Sequence, residues 1–198
     1  EAEMTGKIIL VTGGARSGKS AFAEKLAAKG KKVAYIATAQ IFDNEMAFRV
    51  KLHKKRRPVN WQTFEVPFNA EDAIMQAAAD NDGILFDCIT LYISNILCQL
   101  AEKELAIQAD VYKLVQAQIK KLLQAALTAA KAGDTVIFVT NEVGAGIVPE
   151  NKLARLYRDV SGLANQQLAE KADSVFAVIA GLPVDIKKLA GRDDTEES

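Results

Sequence analysis

Cysteine occurs only twice in this 198-residue chain, histidine and tryptophan once each, and proline four times. Cys88 and Cys98 sit in apolar segments at a spacing that matches neither a zinc knuckle nor a redox pair. They are expected as buried, reduced thiols, which fits a reducing cytoplasm. Net charge is also lacking, because 25 Lys+Arg cancel 25 Asp+Glu to +0. That balance argues against nucleic acid or anionic lipid held by a global field, though it leaves a local basic patch open. No apolar run suits a bilayer. The longest stretch poor in charge, Gly83 to Gln99 around Asp87, falls short of the roughly 20 apolar residues a membrane span requires. The start, Glu1-Ala2-Glu3-Met4, has no basic segment followed by an apolar run, so no signal peptide is expected and Met4 is the expected natural start.

What is present suits a globular protein: 49% hydrophobic and 25% charged residues, far from the composition of disordered chains. The length favours one domain, taken here as 4–190, followed by an acidic, apolar-free tail over 191–198 that is expected to fray. Short β-branched runs alternate with segments of helical period, the pattern of an α/β domain on a mainly parallel sheet. Strands are expected at Ile8 to Thr12, Val33 to Ala37, Gly83 to Asp87, Thr135 to Thr140 and Ser174 to Ile179. The clearest helix, Val111 to Ala130, carries an apolar stripe of Val111, Leu114, Val115, Ile119, Leu122, Leu123 and Ala126, with Lys113, Lys120, Lys121 and Gln124 turned away. Gly133-Asp134 ends it, and Pro149 is expected to open the next helix.

The strongest motif is Gly13-Gly14-Ala15-Arg16-Ser17-Gly18-Lys19-Ser20, which satisfies G-x-x-x-x-G-K-[ST] between an expected strand and an expected helix. In such a loop, glycines let backbone N–H groups turn onto phosphate oxygens and the helix N-terminus favours negative charge. Lys19 is placed to reach the β- and γ-phosphates and the Ser20 hydroxyl to ligate Mg²⁺. The expected fold is therefore a three-layer P-loop NTPase-like α/β domain with a sheet flanked by helices. A carboxylate ending a neighbouring strand commonly completes the magnesium shell, and Asp87 is the candidate, although capping of the helix near Ile89 is an alternative for it. Asn141 and Glu142 follow another apolar strand and should emerge at the same carboxyl edge, with no fixed role.

A second informative segment runs from Asp43 to Pro58 and keeps helical spacing into a basic run in which Lys51, Lys54, Lys55, Arg56 and Arg57 flank His53. Met46, Arg49, Val50 and His53 share one face. By itself the run reads first as a solvated helix end, with phosphate or nucleic-acid binding as the other possibilities, and a solitary histidine is more often a satisfied residue than a catalyst. Trp61 reads as core.

Together these blocks identify a resemblance. Val11 to Ser20, Tyr35 to Gln40, Asp43 to Met46 with His53-Lys54 and Arg57-Pro58, Trp61, Thr63, Glu65, Asp87-Cys88-Ile89-Thr90, Val139 to Gly144 and Ile147 to Asn151 through Arg158-Asp159 recur in that order in the bifunctional adenosylcobinamide kinase / adenosylcobinamide-phosphate guanylyltransferase family of cobalamin biosynthesis. The sequence resembles that family from about residue 8 to residue 180. The resemblance implies two reactions. ATP or GTP phosphorylates the aminopropanol arm of adenosylcobinamide, and GMP from GTP is then carried on a histidine to the new phosphate, giving adenosylcobinamide-GDP and pyrophosphate. The carrier falls on His53. It further implies that Gly13 to Ser20 serve both steps and that Thr38, Ala39, Gln40 and Glu65 line the nucleotide site, where Lys54, Lys55, Arg56 and Arg57 are also expected; Lys54, Arg56, Arg57 and Mg²⁺ are placed to offset charge on the α-phosphate.

Asp87 stands where some members carry glutamate, which leaves direct metal contact, contact through water, or recognition of the guanine edge open for it. Arg155, Arg158 and Asn165 are candidates for the corrinoid phosphate, with a surface ion pair as the alternative. The resemblance implies a homotrimer, and the composition leads to the expectation of a cytoplasmic protein with no nucleic-acid partner and no membrane span. Two rival readings are a P-loop kinase of another small hydroxyl substrate and a nucleotide-controlled binding module.

Overall fold

A computed structural model of the chain describes residues 6–40, 44, 47–48, 50–51, 54, 57–102 and 108–191. Seven strands, β1 (Lys7–Thr12), β2 (Val33–Ala37), β3 (Gln62–Glu65), β4 (Gly83–Asp87), β5 (Thr135–Val139), β6 (Ser174–Ile179) and β7 (Leu182–Asp185), form one sheet in the order β3-β2-β4-β5-β1-β6-β7. All neighbours pair in parallel except β6 and β7. The labelled helices are α1 (Lys19–Ala27), α2 (Ala70–Ala78), α3 (Ile89–Glu102), α4 (Gln108–Ala132), α5 (Lys152–Lys171) and α6 (Ile186–Ala190).

The central strands are apolar on both faces because helices cover both. Ile8, Leu10, Ile36, Ile84, Phe86, Val136 and Phe138 point to the face packed by α2, α3, α4 and α5. Their alternates Ile9, Val11, Tyr35, Leu85, Ile137 and Val139 pack with Ala23 and Ala27 of α1 and with Trp61. Trp61 is a core residue, 9% exposed.

Five strands lie where periodicity placed them, with Thr140 just outside β5 and Lys7 added to β1. Strands β3 and β7 were not expected, and both are sheet edges. Expected and observed structure differ at three further points. Leu114 leaves the buried stripe of α4 and is 37% exposed. Cys88 is buried as expected, but Cys98 is exposed, since it borders an open groove between α3 and the start of α5. Pro149 does not open α5. Asn151 caps that helix by accepting from Ala154 N at 3.1 Å, because an amide oxygen satisfies a free helical N–H and proline offers none. Gly133, at φ 109°, closes α4 as expected, with Asp134 N donating to Ala129 O. Residues 44, 47, 48, 50, 51 and 54 between β2 and β3 are helical, in line with the expected basic helix.

Candidate active site at the carboxyl edge of the sheet

The parallel register brings several chain segments to one edge. Val11 pairs with Val139, Val139 with Asp87, Asp87 with Ala37 and Ala37 with Glu65, so the loops after β1, β5, β4 and β2 emerge side by side. In open α/β sheets ligands collect at this edge.

Side chains are disfavoured at two glycines of the loop after β1, by crowding at Gly13 and by backbone conformation at Gly18. A Cβ on Gly13 would lie 2.5 Å from Val178 O and 2.6 Å from Ser17 Oγ. Gly18, at φ 95°, precedes α1 without any side-chain cap, so the first N–H groups of that helix face outward, a ready anion site. The β6–β7 hairpin braces the loop through Gly181 N, which donates to Ser17 O at 2.8 Å. Ala180 and Gly181 both have positive φ, as a tight two-residue hairpin turn requires. Lys19 Nζ donates to Gly14 O at 3.0 Å and the residue is only 9% exposed. Burial lowers its pKa, while the nearby Cys88 and Asp87 oppose that shift. The Ser17 hydroxyl is buried with no hydrogen-bond partner among the described residues, which fits a cradle whose partner is a ligand oxygen.

On one side of this loop the site is ionic. Asp87, at the end of β4, accepts from Tyr35 Oη at 2.8 Å. The Arg57 guanidinium carbon lies 3.4 Å from the centre of the Tyr35 ring, a cation–π stack that leaves its edge donors available. Two of those donors, Nε and Nη1, are buried without a partner among the described residues, an arrangement suited to an anion. Burial, then the Asp87 charge, drive the Tyr35 hydroxyl far up from its ordinary pKa. Lys54 pairs with Glu65 at 2.5 Å and, through that hydrogen bond and its charge, holds the Glu65 carboxyl below the usual range. The pair is exposed and contributes little to stability.

On the other side the site is built from neutral donors. Glu142 Oε1 accepts from Thr12 Oγ1 at 2.7 Å and from Asn165 Nδ2 at 3.0 Å. Asn165 also accepts from Thr140 Oγ1 at 2.7 Å and donates to Asn141 O at 3.2 Å. Asn141 Nδ2 in turn donates to Thr90 Oγ1 at 2.7 Å.

The structure places Gly13 to Ser20 and Asp87 at the same sheet edge, with the Asp87 charge felt at Lys19. It places Lys54, Arg57 and Glu65 on the ionic side. Thr38 is fully buried, and its hydroxyl both donates to Cys88 O and accepts from Cys88 N at 2.9 Å, so it holds the chain just after Asp87. Ala39 and Gln40 follow at the same edge, half-buried. His53, Lys55 and Arg56 lie outside the described residues. Asn165 points inward to Glu142, and Arg155 spends Nη1 on Pro149 O and Glu150 O, whereas Arg158 keeps a buried Nη1 without a partner. Tyr35, Thr12 and Asn165 acquire their roles only in three dimensions. Each contact joins residues far apart in sequence, so local spacing carries no signal for them.

Among the described residues no group of three or more His, Cys, Asp or Glu side chains could hold a metal ion. Magnesium fits this site all the same, because it is commonly held by one or two protein oxygens together with substrate phosphates and water. Ser20 and Asp87 offer such oxygens. No helix among the described residues is long and apolar enough to cross a membrane.

Fold and loop define a P-loop nucleoside-triphosphate-binding protein in which one strand, β5, separates the phosphate-loop strand from the strand ending in Asp87. The type III secretion ATPase of pathogenic bacteria shares this fold with a TM-score of 0.53 at 11% identity, over 91% of this chain and 57% of that one. Its likeness is one of fold alone. A narrower assignment comes from the family model for cobinamide kinase / cobinamide phosphate guanyltransferase, CobU, which matches residues 9–186; the chain belongs to this family. Its similar relatives include the bifunctional adenosylcobalamin biosynthesis protein CobU of Salmonella typhimurium, 45% identical over 91% of this chain and 99% of that protein. The protein of the same description from Escherichia coli is 41% identical over the same shares. The bifunctional adenosylcobalamin biosynthesis protein CobP of Pseudomonas aeruginosa is 37% identical over 90% and 96%.

Proposed function

We propose that this chain phosphorylates adenosylcobinamide with ATP or GTP and then transfers GMP from GTP to the resulting phosphate through a guanylyl group on His53. Family membership supports the pair of reactions. The observation that carries the nucleotide chemistry is the braced phosphate loop with Lys19 over it and the unpartnered Arg57 donors beside Asp87.

In the guanylyl half, a neutral imidazole nitrogen of His53 attacks the α-phosphorus of GTP. The Pα–O bond to the β-phosphate breaks and pyrophosphate leaves. A phosphate oxygen of the corrinoid then attacks the same phosphorus, and the P–N bond breaks to free the imidazole. Imidazole has an unperturbed pKa near ~6.5 and is already a nucleophile at neutral pH. Charge gathers on the phosphoryl oxygens in both steps, and Lys19, Lys54, Lys55, Arg56 and Arg57 are the cations assigned to offset it. Gly13, Gly14, Ala15, Arg16, Ser17 and Gly18 supply backbone donors to the phosphates, while Thr38, Ala39, Gln40 and Glu65 border the nucleotide. Ser20 and Asp87 would hold magnesium, which when bound neutralises charge on the triphosphate. We further place the protein in the cytoplasm as a homotrimer, on the family resemblance alone.

Incubation with GTP labelled at the α-phosphate and magnesium, followed by denaturation, should leave an acid-labile, alkali-stable label on the chain. His53→Ala should abolish that label and pyrophosphate exchange into GTP while corrinoid phosphorylation continues. A histidine variant that still takes up label, or an unaltered chain that never does, would refute the carrier role.

A further inference from the structure

We propose that Glu142 is the general base of the phosphorylation step, taking the proton from the acceptor hydroxyl. The proposal rests on the kinase half of the function proposed above.

The sheet order puts β5 between β1 and β4. The residues leaving β5 therefore emerge between the phosphate loop and Asp87, where the γ-phosphate of a bound nucleotide would meet its acceptor. Glu142 is held there by its own backbone, since its N–H donates to Gly13 O at 3.2 Å. Its side chain is held as well. Thr12 Oγ1 and Asn165 Nδ2 both donate to Oε1, and Asn165 is locked by Thr140 and by the Asn141 carbonyl. Orientation of a catalytic carboxylate requires such a supporting set of bonds.

The chemistry of the donors matters as much as their number. A hydroxyl and an amide fix a carboxylate without neutralising it, and among the described residues no cation pairs with Glu142. Both donors fall on Oε1, so among the described residues nothing hydrogen-bonds Oε2, and the residue is exposed at the edge. Asp87 is differently placed. It takes the Tyr35 hydroxyl and shares charge with Lys19, as suits a group that manages cations. Glu142 is the carboxylate left for a proton.

Only one of the two reactions calls for such a base. In phosphorylation the acceptor oxygen forms a bond to the γ-phosphorus, its proton passes to Glu142 Oε2, and the Pγ–O bond breaks with its electron pair departing on the nucleoside diphosphate. Guanylyl transfer has no equivalent proton, because its nucleophiles are a neutral imidazole nitrogen and an anionic phosphate oxygen.

Glu142→Gln tests this in the full chain, since the amide oxygen still accepts from Thr12 and Asn165 but takes up no proton. The kcat for corrinoid phosphorylation should fall by at least tenfold, and by about 10²–10⁴-fold on the usual scale of general-base catalysis, with the KM for nucleotide, guanylyl labelling from GTP and the melting temperature unchanged. Glu142→Asp, which keeps a carboxylate, should recover part of the lost kcat. Phosphorylation reduced by less than tenfold, or labelling that falls in step with it, overturns the proposal. An unaltered chain that takes up guanylyl label but phosphorylates no corrinoid would sink the kinase reading and this proposal with it.

Discussion

The two flanks of the phosphate loop are built from opposite materials. Toward β4 and β2 lie Asp87, the Tyr35–Arg57 stack and the Lys54–Glu65 pair; toward β5 lie Thr12, Thr140, Asn141, Asn165 and a single carboxylate, Glu142. The ionic flank can stabilise anions that develop during displacement at phosphorus, while the neutral flank can orient a base without quenching it. Under the function proposed above, the contrast would let one loop serve two reactions, with each acceptor meeting its own chemistry on its own side of the sheet edge.

Lys19 stands where the flanks meet and should matter to both. Its ammonium donates to Gly14 O and feels the charge of Asp87, so Lys19→Ala removes the cation assigned to the phosphates. Phosphorylation and guanylyl labelling should each fall by about 10³-fold, the scale for losing one preorganised donor to a developing anion. Steady-state phosphorylation and single-turnover labelling on the same sample would check this. If only one rate fell, the loop would not be shared and the two flanks would belong to separate nucleotide sites.

The unequal legibility of the two flanks in the sequence has a physical basis. The phosphate loop is contiguous, and its demands on glycine, lysine and serine are local, so Gly13 to Ser20 announce themselves. Asp87 was readable as the carboxylate ending a buried strand. Thr12 and Asn165 were not readable as partners of Glu142, because they meet only after β1 pairs with β5 and α5 docks behind them. Asn165 was instead a candidate for the corrinoid phosphate, and its inward hydrogen bonds now occupy it. The stack of Arg57 on Tyr35 was likewise hidden, since a basic run by itself reads first as a solvated helix end. In the fold, the buried central strands were legible from their β-branched runs. Gln62–Glu65 and Leu182–Asp185 were not, one being largely exposed and polar and the other carrying Pro183 on an edge.

A smaller change should split the flanks. Arg57→Lys keeps the charge but loses the planar face that stacks on Tyr35 and the buried Nε and Nη1 donors. A cation–π contact of this kind contributes about 1 kcal/mol, which corresponds to about a fivefold loss of rate. That loss should fall on guanylyl labelling, with phosphorylation almost untouched. An equal loss in both would mean that the ionic flank serves the triphosphate in general and not one displacement in particular.

The mildest test reaches the neutral flank from a distance. Asn151 caps α5, the helix that carries Asn165 to Glu142. Asn151→Ala should cost about 1 kcal/mol of stability, lowering the melting temperature by about 2–4 °C for a chain of this size. If loosening the first turn is felt at Asn165 at all, phosphorylation can fall by no more than about fivefold, the whole cap energy expressed as a rate. Guanylyl labelling should not change, because no residue of the ionic flank belongs to α5. Calorimetry together with the two rates separates the outcomes. A lower melting temperature with both rates intact would show that the later turns hold Asn165 unaided, whereas a drop in labelling alone would mean that the two flanks had been assigned to the wrong reactions.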